Sequence, residues 1–210
     1  MLTIDNLTLQ RGGEPLLREM NLQVEPGEIV TLMGASGSGK STLFSWIIGA
    51  LPPAFSASGA LWLSGERCDG LPVVQRQIGI LFQDALLFDH FSVGQNLLLA
   101  LPASVARRER RPRVEAALAR AGLEGFYSRD PVTLSGGQRA RVALLRSLLA
   151  QPRALLLDEP FSRLDADLRA RFREDVFDTL RQLSIPVLQV THDPADVPPG
   201  GRCLRLESWR

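Results

Sequence analysis

The densest chemistry in this 210-residue sequence lies in Gly34, Ala35, Ser36, Gly37, Ser38, Gly39, Lys40, Ser41 and Thr42. They fit the pattern G-x-x-x-x-G-K-[ST]. Glycines let successive backbone N–H groups turn toward one point and approach phosphate oxygens closely. A helix opening straight after them would aim its positive end at the same anion. Lys40 is long enough to reach β- and γ-phosphates, and the Ser41 hydroxyl is a ligand type that Mg²⁺ accepts. With glycine at about 7% of residues, four fixed positions match by chance in ~200 residues on the order of one time in a hundred. A nucleoside triphosphate site is therefore expected at residues 34–42. That motif alone leaves kinases, GTPases and ATPases open.

A second cluster is acidic. Residues 154–157 are an apolar run that ends in Asp158, Glu159 and Pro160. Open parallel sheets bind ligands beyond the carboxyl ends of their strands, which would bring this pair beside the phosphate loop. Asp158 is expected to hold Mg²⁺ through water, and Glu159 to orient or deprotonate an attacking water. Surface acids more often cap helices or turns, and only the pairing with residues 34–42 favours the catalytic reading.

The elements that must position these groups follow from hydrophobic periodicity. Residues 29–33 are nearly all apolar, as a strand buried on both faces should be. Similar runs recur at 60–63, 78–82, 154–157, 187–190 and 203–206. Leu2, Ile4, Leu7 and Leu9 suggest an earlier strand, and Leu22 with Val24 a partly exposed one. Residues 41–51 read as a buried helix. Val114, Ala117, Leu118 and Ala121 repeat at helical spacing, as do Leu168, Phe172, Val176, Leu180 and Leu183 behind Asp165, a good N-cap. Strands alternating with helices imply an α/β fold with a largely parallel sheet. The stretch 84–153 lacks a convincing strand and is expected to be a helical insertion. Hydrophobic residues at 45% and charged residues at 22% are ordinary for a globular chain, and a net charge of +1 supplies no global field toward nucleic acid or membrane. The N-terminus does not read as a signal peptide, and no stretch approaches 18 consecutive apolar residues. Cys68 and Cys203 have no metal-type spacing and are expected to stay reduced.

Leu134, Ser135, Gly136, Gly137 and Gln138 separate the candidate classes. Together with the two motifs above, in this order, they resemble the signature of ATP-binding cassette (ABC) ATPases, and the resemblance spans essentially the whole chain. Gln83 matches that family's glutamine loop, Ser162 to Asp165 its D-loop, and Thr191-His192-Asp193 its switch. The resemblance implies a P-loop NTPase with a RecA-like parallel core, an N-terminal antiparallel β subdomain and the helical insertion, all in one nucleotide-binding domain over 1–210. It implies that ATP is hydrolysed with Mg²⁺ held by Ser41, Gln83 and Asp158, and that Glu159, His192 and Gln83 serve the γ-phosphate. Two cassettes would close head to tail as a homodimer. Ser135, Gly136, Gly137 and Gln138 would then contact the nucleotide of the partner, with a helix over 138–150 adding its positive end.

The sequence is most similar to cassettes of bacterial importers that work with a separate permease and solute-binding protein. That implies a peripheral location at the cytoplasmic face of the plasma membrane and no nucleic-acid partner. Several such relatives carry a C-terminal regulatory domain, and none is expected here after the last strand. A soluble cassette acting on DNA or ribosomes and a small-molecule kinase are the alternatives. The first usually has two cassettes per chain or a coiled-coil insertion. The second would not need Ser135 to Gln138 or Glu159. One departure concerns adenine. The family usually stacks an aromatic residue on it at the position of Arg11, and no Phe, Tyr or Trp precedes Phe44, so Arg11 itself is expected to supply the stacking plane, the alternative being a solvated turn residue before Gly12 and Gly13. Leu86, Leu87 and Phe88 are expected either to be core or to form a groove for the permease. The basic run 107–113 could meet anionic lipid or nucleic acid, but such a run is more often a solvated helix entrance.

Overall fold

A computed structural model describes the chain apart from Ser36, Arg163 and Asp165, and apart from the side chains of Ala166, Asp167 and Leu168. The expected roles of Ser36 and Arg163, the Asp165 cap and the Leu168 packing position lie outside the described residues. The chain divides into two compact units. One comprises Met1–Ile80, Arg153–Glu159 and Asp175–Arg210, the other Leu81–Pro152 and Pro160–Glu174.

In the first unit, β1 (Leu2–Arg11) and β2 (Glu14–Val24) form an antiparallel hairpin that turns through Gly12 and Gly13. β3 (Ile29–Met33) follows and leads into α1 (Lys40–Ile48). β4 (Phe55–Leu63) returns to pair with β1, and β5 (Glu66–Arg67) pairs with β4. The antiparallel sheet thus has the order β2-β1-β4-β5 and draws half its strands from after the phosphate loop, so it is not purely N-terminal. A short helix α2 (Val73–Arg76) precedes β6 (Ile78–Leu81). With β7 (Ala154–Asp158), β8 (Val187–Thr191) and β9 (Arg202–Arg205) it completes a second sheet of order β6-β7-β8-β3-β9, in which β7, β8, β3 and β9 run parallel. Val30, Leu32, Leu156, Leu188 and Val190 from its inner strands are fully buried with Leu43 and Phe44 of α1. Full burial of such a side chain contributes about 1.5–3 kcal/mol, so the strands that end at the phosphate loop are among the best anchored.

Local chemistry corrects three boundaries. α1 stops at Ile48, short of residue 51, because Gly49 adopts φ +84° and its N–H closes on the Ser45 and Trp46 carbonyls. β4 starts at Phe55, five residues before its apolar run, because its exposed half is held by pairing with β1 instead of by burial. The last strand ends at Arg205, and Leu206, read as part of it, is buried in a 3₁₀ turn, Leu206–Trp209. The far end of α1 is fixed by Arg76, a buried guanidinium that donates to the carbonyls of Trp46, Ile47, Leu71 and Asp69.

The second unit contains α3 (Val93–Leu98), α4 (Arg107–Arg120), a 3₁₀ turn at Pro131–Thr133 and α5 (Gly136–Leu149). α6 (Ala166–Arg181) begins in this unit and ends in the first. The basic run lies inside α4. Arg111 pairs with Glu115 and Arg113 with Glu109 one turn away, while Arg110 donates to the carbonyls of Leu98, Leu101 and Pro102. Three of the five arginines in the run are therefore spent on the helix and its neighbour.

Candidate active site

The phosphate loop leaves β3 at Gly34 and passes through Gly37 at φ +76° and Gly39 at φ +99°, where a Cβ would be strained. Lys40 is the first residue of α1, and Ser41 and Thr42 lie in its first turn. A Cβ at Gly34 would come within 2.6 Å of the Ser38 Oγ. That hydroxyl is buried and has no hydrogen-bond partner among the described residues. The Lys40 ammonium donates to the carbonyls of Gly34, at 2.7 Å, and Ala35, at 3.0 Å. An unpartnered hydroxyl and an ammonium folded onto its own loop are groups that a bound triphosphate would satisfy, so the cradle fits the ligand expected of it.

Beside the loop, β7 ends in Asp158, and Glu159 follows with φ +46°, a left-handed conformation that costs a non-glycine residue about 1–3 kcal/mol. The Glu159 N–H donates to the Val190 carbonyl of β8. Its carboxylate stands between the Lys40 ammonium and the His192 imidazole, with Oε1 3.8 Å from the Lys40 Nζ and Oε2 3.2 Å from the His192 Nδ1. Burial, with Glu159 adding like charge, pushes the Asp158 carboxyl above its ordinary range, and Lys40 opposes the shift. His192 follows β8 and is exposed, but the turn that carries it is fixed. The Thr191 hydroxyl donates to the buried Asp196 carboxylate and accepts from the Asp193 N–H, while the Gln189 amide donates to the Asp196 carbonyl. The fold thus brings Lys40, Asp158, Glu159 and His192 together, as the sequence predicts.

Gln83 and residues 135–138 belong to the other unit. Gln83 is exposed just after β6. Ser135 caps α5. Its hydroxyl accepts from the Gln138 N–H, and the Gln138 side chain accepts from the Ser135 N–H. The helix therefore starts at Gly136, two residues earlier than expected, and Gln138 is committed to a capping box. The N–H groups of Gly136 and Gly137 sit in the first turn, where no helical carbonyl can reach them.

The sequence profile of the ABC transporter family matches residues 17–162. The chain belongs to the ABC transporter family. It binds ATP and is an ATPase. This ABC ATPase is 63% identical over 209 residues to YnjD of Escherichia coli K12, an uncharacterized ABC transporter ATP-binding protein, covering 100% of this chain and 96% of that one. It is 39% identical over 192 residues to the Fe(3+) ions import ATP-binding protein FbpC of Escherichia coli O157:H7, covering 91% of this chain and 54% of that one, so it spans about half of that relative's length. Among solved structures it resembles a dimeric, post-hydrolysis state of the ATP-binding cassette MJ0796 bound to ADP and Pi. The TM-score is 0.76 and the identity 30%, over 93% of this chain and 90% of that one.

The ABC ATPase holds features that sequence motifs did not reveal. Arg11, at the end of β1, is paired across the sheet with Phe55, and its guanidinium lies 5.7 Å from that ring. The ring of Phe55, from a strand distant in sequence, therefore stands beside Arg11. In the second unit, Leu86, Leu87 and Phe88 split. Leu87 is buried, whereas Leu86 and Phe88 are exposed and the loop is tied down by Arg146, which donates to the Ala85 and Leu86 carbonyls. Among the described residues no group of three or more His, Cys, Asp or Glu side chains is gathered for a metal. One hydroxyl and one carboxylate completed by phosphate and water is a donor set that suits Mg²⁺, which keeps several waters.

Proposed function

We propose that this ATPase is the motor subunit of a bacterial importer, that residues 1–210 act as one nucleotide-binding domain with a helical part over 84–153, and that it works as a head-to-tail homodimer against a separate permease. The observation that carries the catalytic part is Glu159, held between Lys40 and His192 at the mouth of the phosphate loop. Residues 34–42 cradle the triphosphate, and Arg11 lies under the base. On nucleotide binding, Lys40 turns from Glu159 to the phosphates, and the released carboxylate accepts a proton from the attacking water. His192, anchored through Thr191 and Asp196, contacts the γ-phosphate. Ser41 and Asp158, with Gln83, would hold Mg²⁺, which supplies charge neutralisation at the phosphates.

Ser135, Gly136, Gly137 and the α5 N-terminus offer a second anion site, and Gln138 holds its shape through the capping box. Dimerisation is supported by the dimeric relative, and import by the resemblance to the iron-import subunit, with a solute-binding protein as the indirect partner. No helix among the described residues is long and apolar enough to cross a membrane, which suits a subunit held at the inner face of the plasma membrane by its permease. Glu159→Gln tests the scheme. It should bind ATP at least as tightly as the parent, lose roughly 10²–10⁴-fold in turnover, and run as a dimer when trapped with ATP. Ser135→Arg should leave ATP affinity of the monomer near normal while turnover disappears. A monomeric, ATP-loaded Glu159→Gln protein, or loss of monomer binding in Ser135→Arg, refutes the shared site.

A further inference from the structure

Adjacent parallel strands deliver two distant segments to the same place. Met33 at the end of β3 is in register with Arg205 at the end of β9. Two residues beyond each partner, the Ala35 N–H donates to the Glu207 Oε1 at 3.0 Å, across 172 positions of sequence. The turn that presents Glu207 is itself anchored, because Leu206 is fully buried and Trp209 packs on the same core. The carboxylate is otherwise exposed, and the Ala35 N–H is the main cause holding it below the ordinary carboxylate range.

We infer that Glu207 is a positioning residue of the phosphate loop, fixing the backbone at Ala35, on which Lys40 rests, before nucleotide arrives. The inference rests on residues 34–42 being the nucleotide site. Lys40 contacts the Gly34 and Ala35 carbonyls, and Glu207 contacts the Ala35 N–H, so two charged side chains grip one short stretch from opposite sides. A Cβ at Gly34 would also meet the Glu207 Oε1 at 3.2 Å, so the acid closes the space that keeps this glycine in place. An acid beside a triphosphate site repels the ligand, and its presence is intelligible if the order it imposes outweighs that repulsion. Without the grip, the loop entropy would be lost at the moment of binding and would weaken affinity, while the groups that act on the bound γ-phosphate would be untouched.

The test uses the full chain and compares Glu207→Ala with Glu207→Gln, whose amide oxygen can still accept from Ala35. Glu207→Ala should raise the ATP dissociation constant and KM about two- to ten-fold, the equivalent of one hydrogen bond, with kcat within a factor of about two, as for a loss of uniform binding. Glu207→Gln should stay close to the parent. Hydrogen exchange at the Ala35 amide, followed without nucleotide, should be protected in the parent and in Glu207→Gln and fast in Glu207→Ala. Unchanged affinity in Glu207→Ala would overturn the inference. So would tighter binding, which would mean that the acid competes with phosphate. Equal losses of melting temperature and kcat in both variants would reduce Glu207 to a fold contact and overturn it too. Lys40→Ala serves as the control. If it binds ATP like the parent, residues 34–42 are not the site, and the exchange result alone then decides whether Glu207 holds Ala35.

Discussion

Arg11→Ala isolates the contribution of the base from that of the triphosphate. The first part of β2 adjoins the phosphate loop, since a Cβ on Gly39 would lie 3.9 Å from the Leu16 Cβ. A nucleotide whose phosphates sit on residues 34–42 can therefore lay its base against the hairpin. There the guanidinium of Arg11 stands 5.7 Å from the Phe55 ring, with both residues at the cross-strand register. A planar cation already held over a ring has lost part of its freedom and offers its other face to adenine. Arg11 is exposed, so the contact belongs at the low end for cation–π pairs, about 0.5–1 kcal/mol. At 1.4 kcal/mol per tenfold, Arg11→Ala should weaken ATP binding by about two- to five-fold.

Calorimetric titration with ATP and with inorganic tripolyphosphate separates the terms. The loss should appear with ATP and be absent with tripolyphosphate, which has no base. Phe55→Ala should lose a similar factor, and the double variant should lose less than the product, because the residues act on one face. Arg11→Tyr should restore or improve binding, and GTP should be discriminated against only weakly, since stacking tolerates either purine. Equal ATP affinity in the parent and Arg11→Ala refutes the platform. An equal loss with tripolyphosphate also refutes it, because the effect would then be one of charge.

Two further substitutions probe stability and coupling. Asp158 is raised above its unfolded value, chiefly by burial, so its contribution to stability is present below the unfolded pKa and lost as pH rises through the folded one. Asp158→Asn should accordingly melt higher than the nucleotide-free parent at neutral pH, with the gain fading toward acid and ATPase activity abolished; no gain at neutral pH would refute the burial argument. Phe88→Asp should leave melting within about 0.5 kcal/mol, as surface changes do, while weakening retention on permease-containing membranes. Leu87→Asp should cost at least the ~2–5 kcal/mol of a core truncation, and a stable Leu87→Asp protein would contradict its burial.

The parts of the site legible in the sequence are those that a continuous stretch of chain encodes. The strand at 29–33 and the glycines after it are local, and the structure returns them with the expected bounds. The acids closing the run at 154–157 and the histidine after 187–190 could be placed because parallel strands collect their carboxyl ends on one edge. Strand order follows no local period and is written in no single stretch of the chain. Glu207 meets Ala35 only because β9 is the neighbour of β3, which neither strand announces. Phe55 meets Arg11 through a half-strand whose exposed residues show no alternation, so burial could not betray the pairing. Arg76 reads as one basic residue among 24 Lys and Arg and becomes a buried clamp only when carbonyls from two segments converge on it. In each case the missing information is a partner far along the chain. Each such partner grips the phosphate-loop region or the hairpin beside it, namely Ala35, the end of α1, or Arg11. The nucleotide chemistry is thus written in motifs, whereas the rigidity that lets those motifs work is distributed over residues that no motif contains.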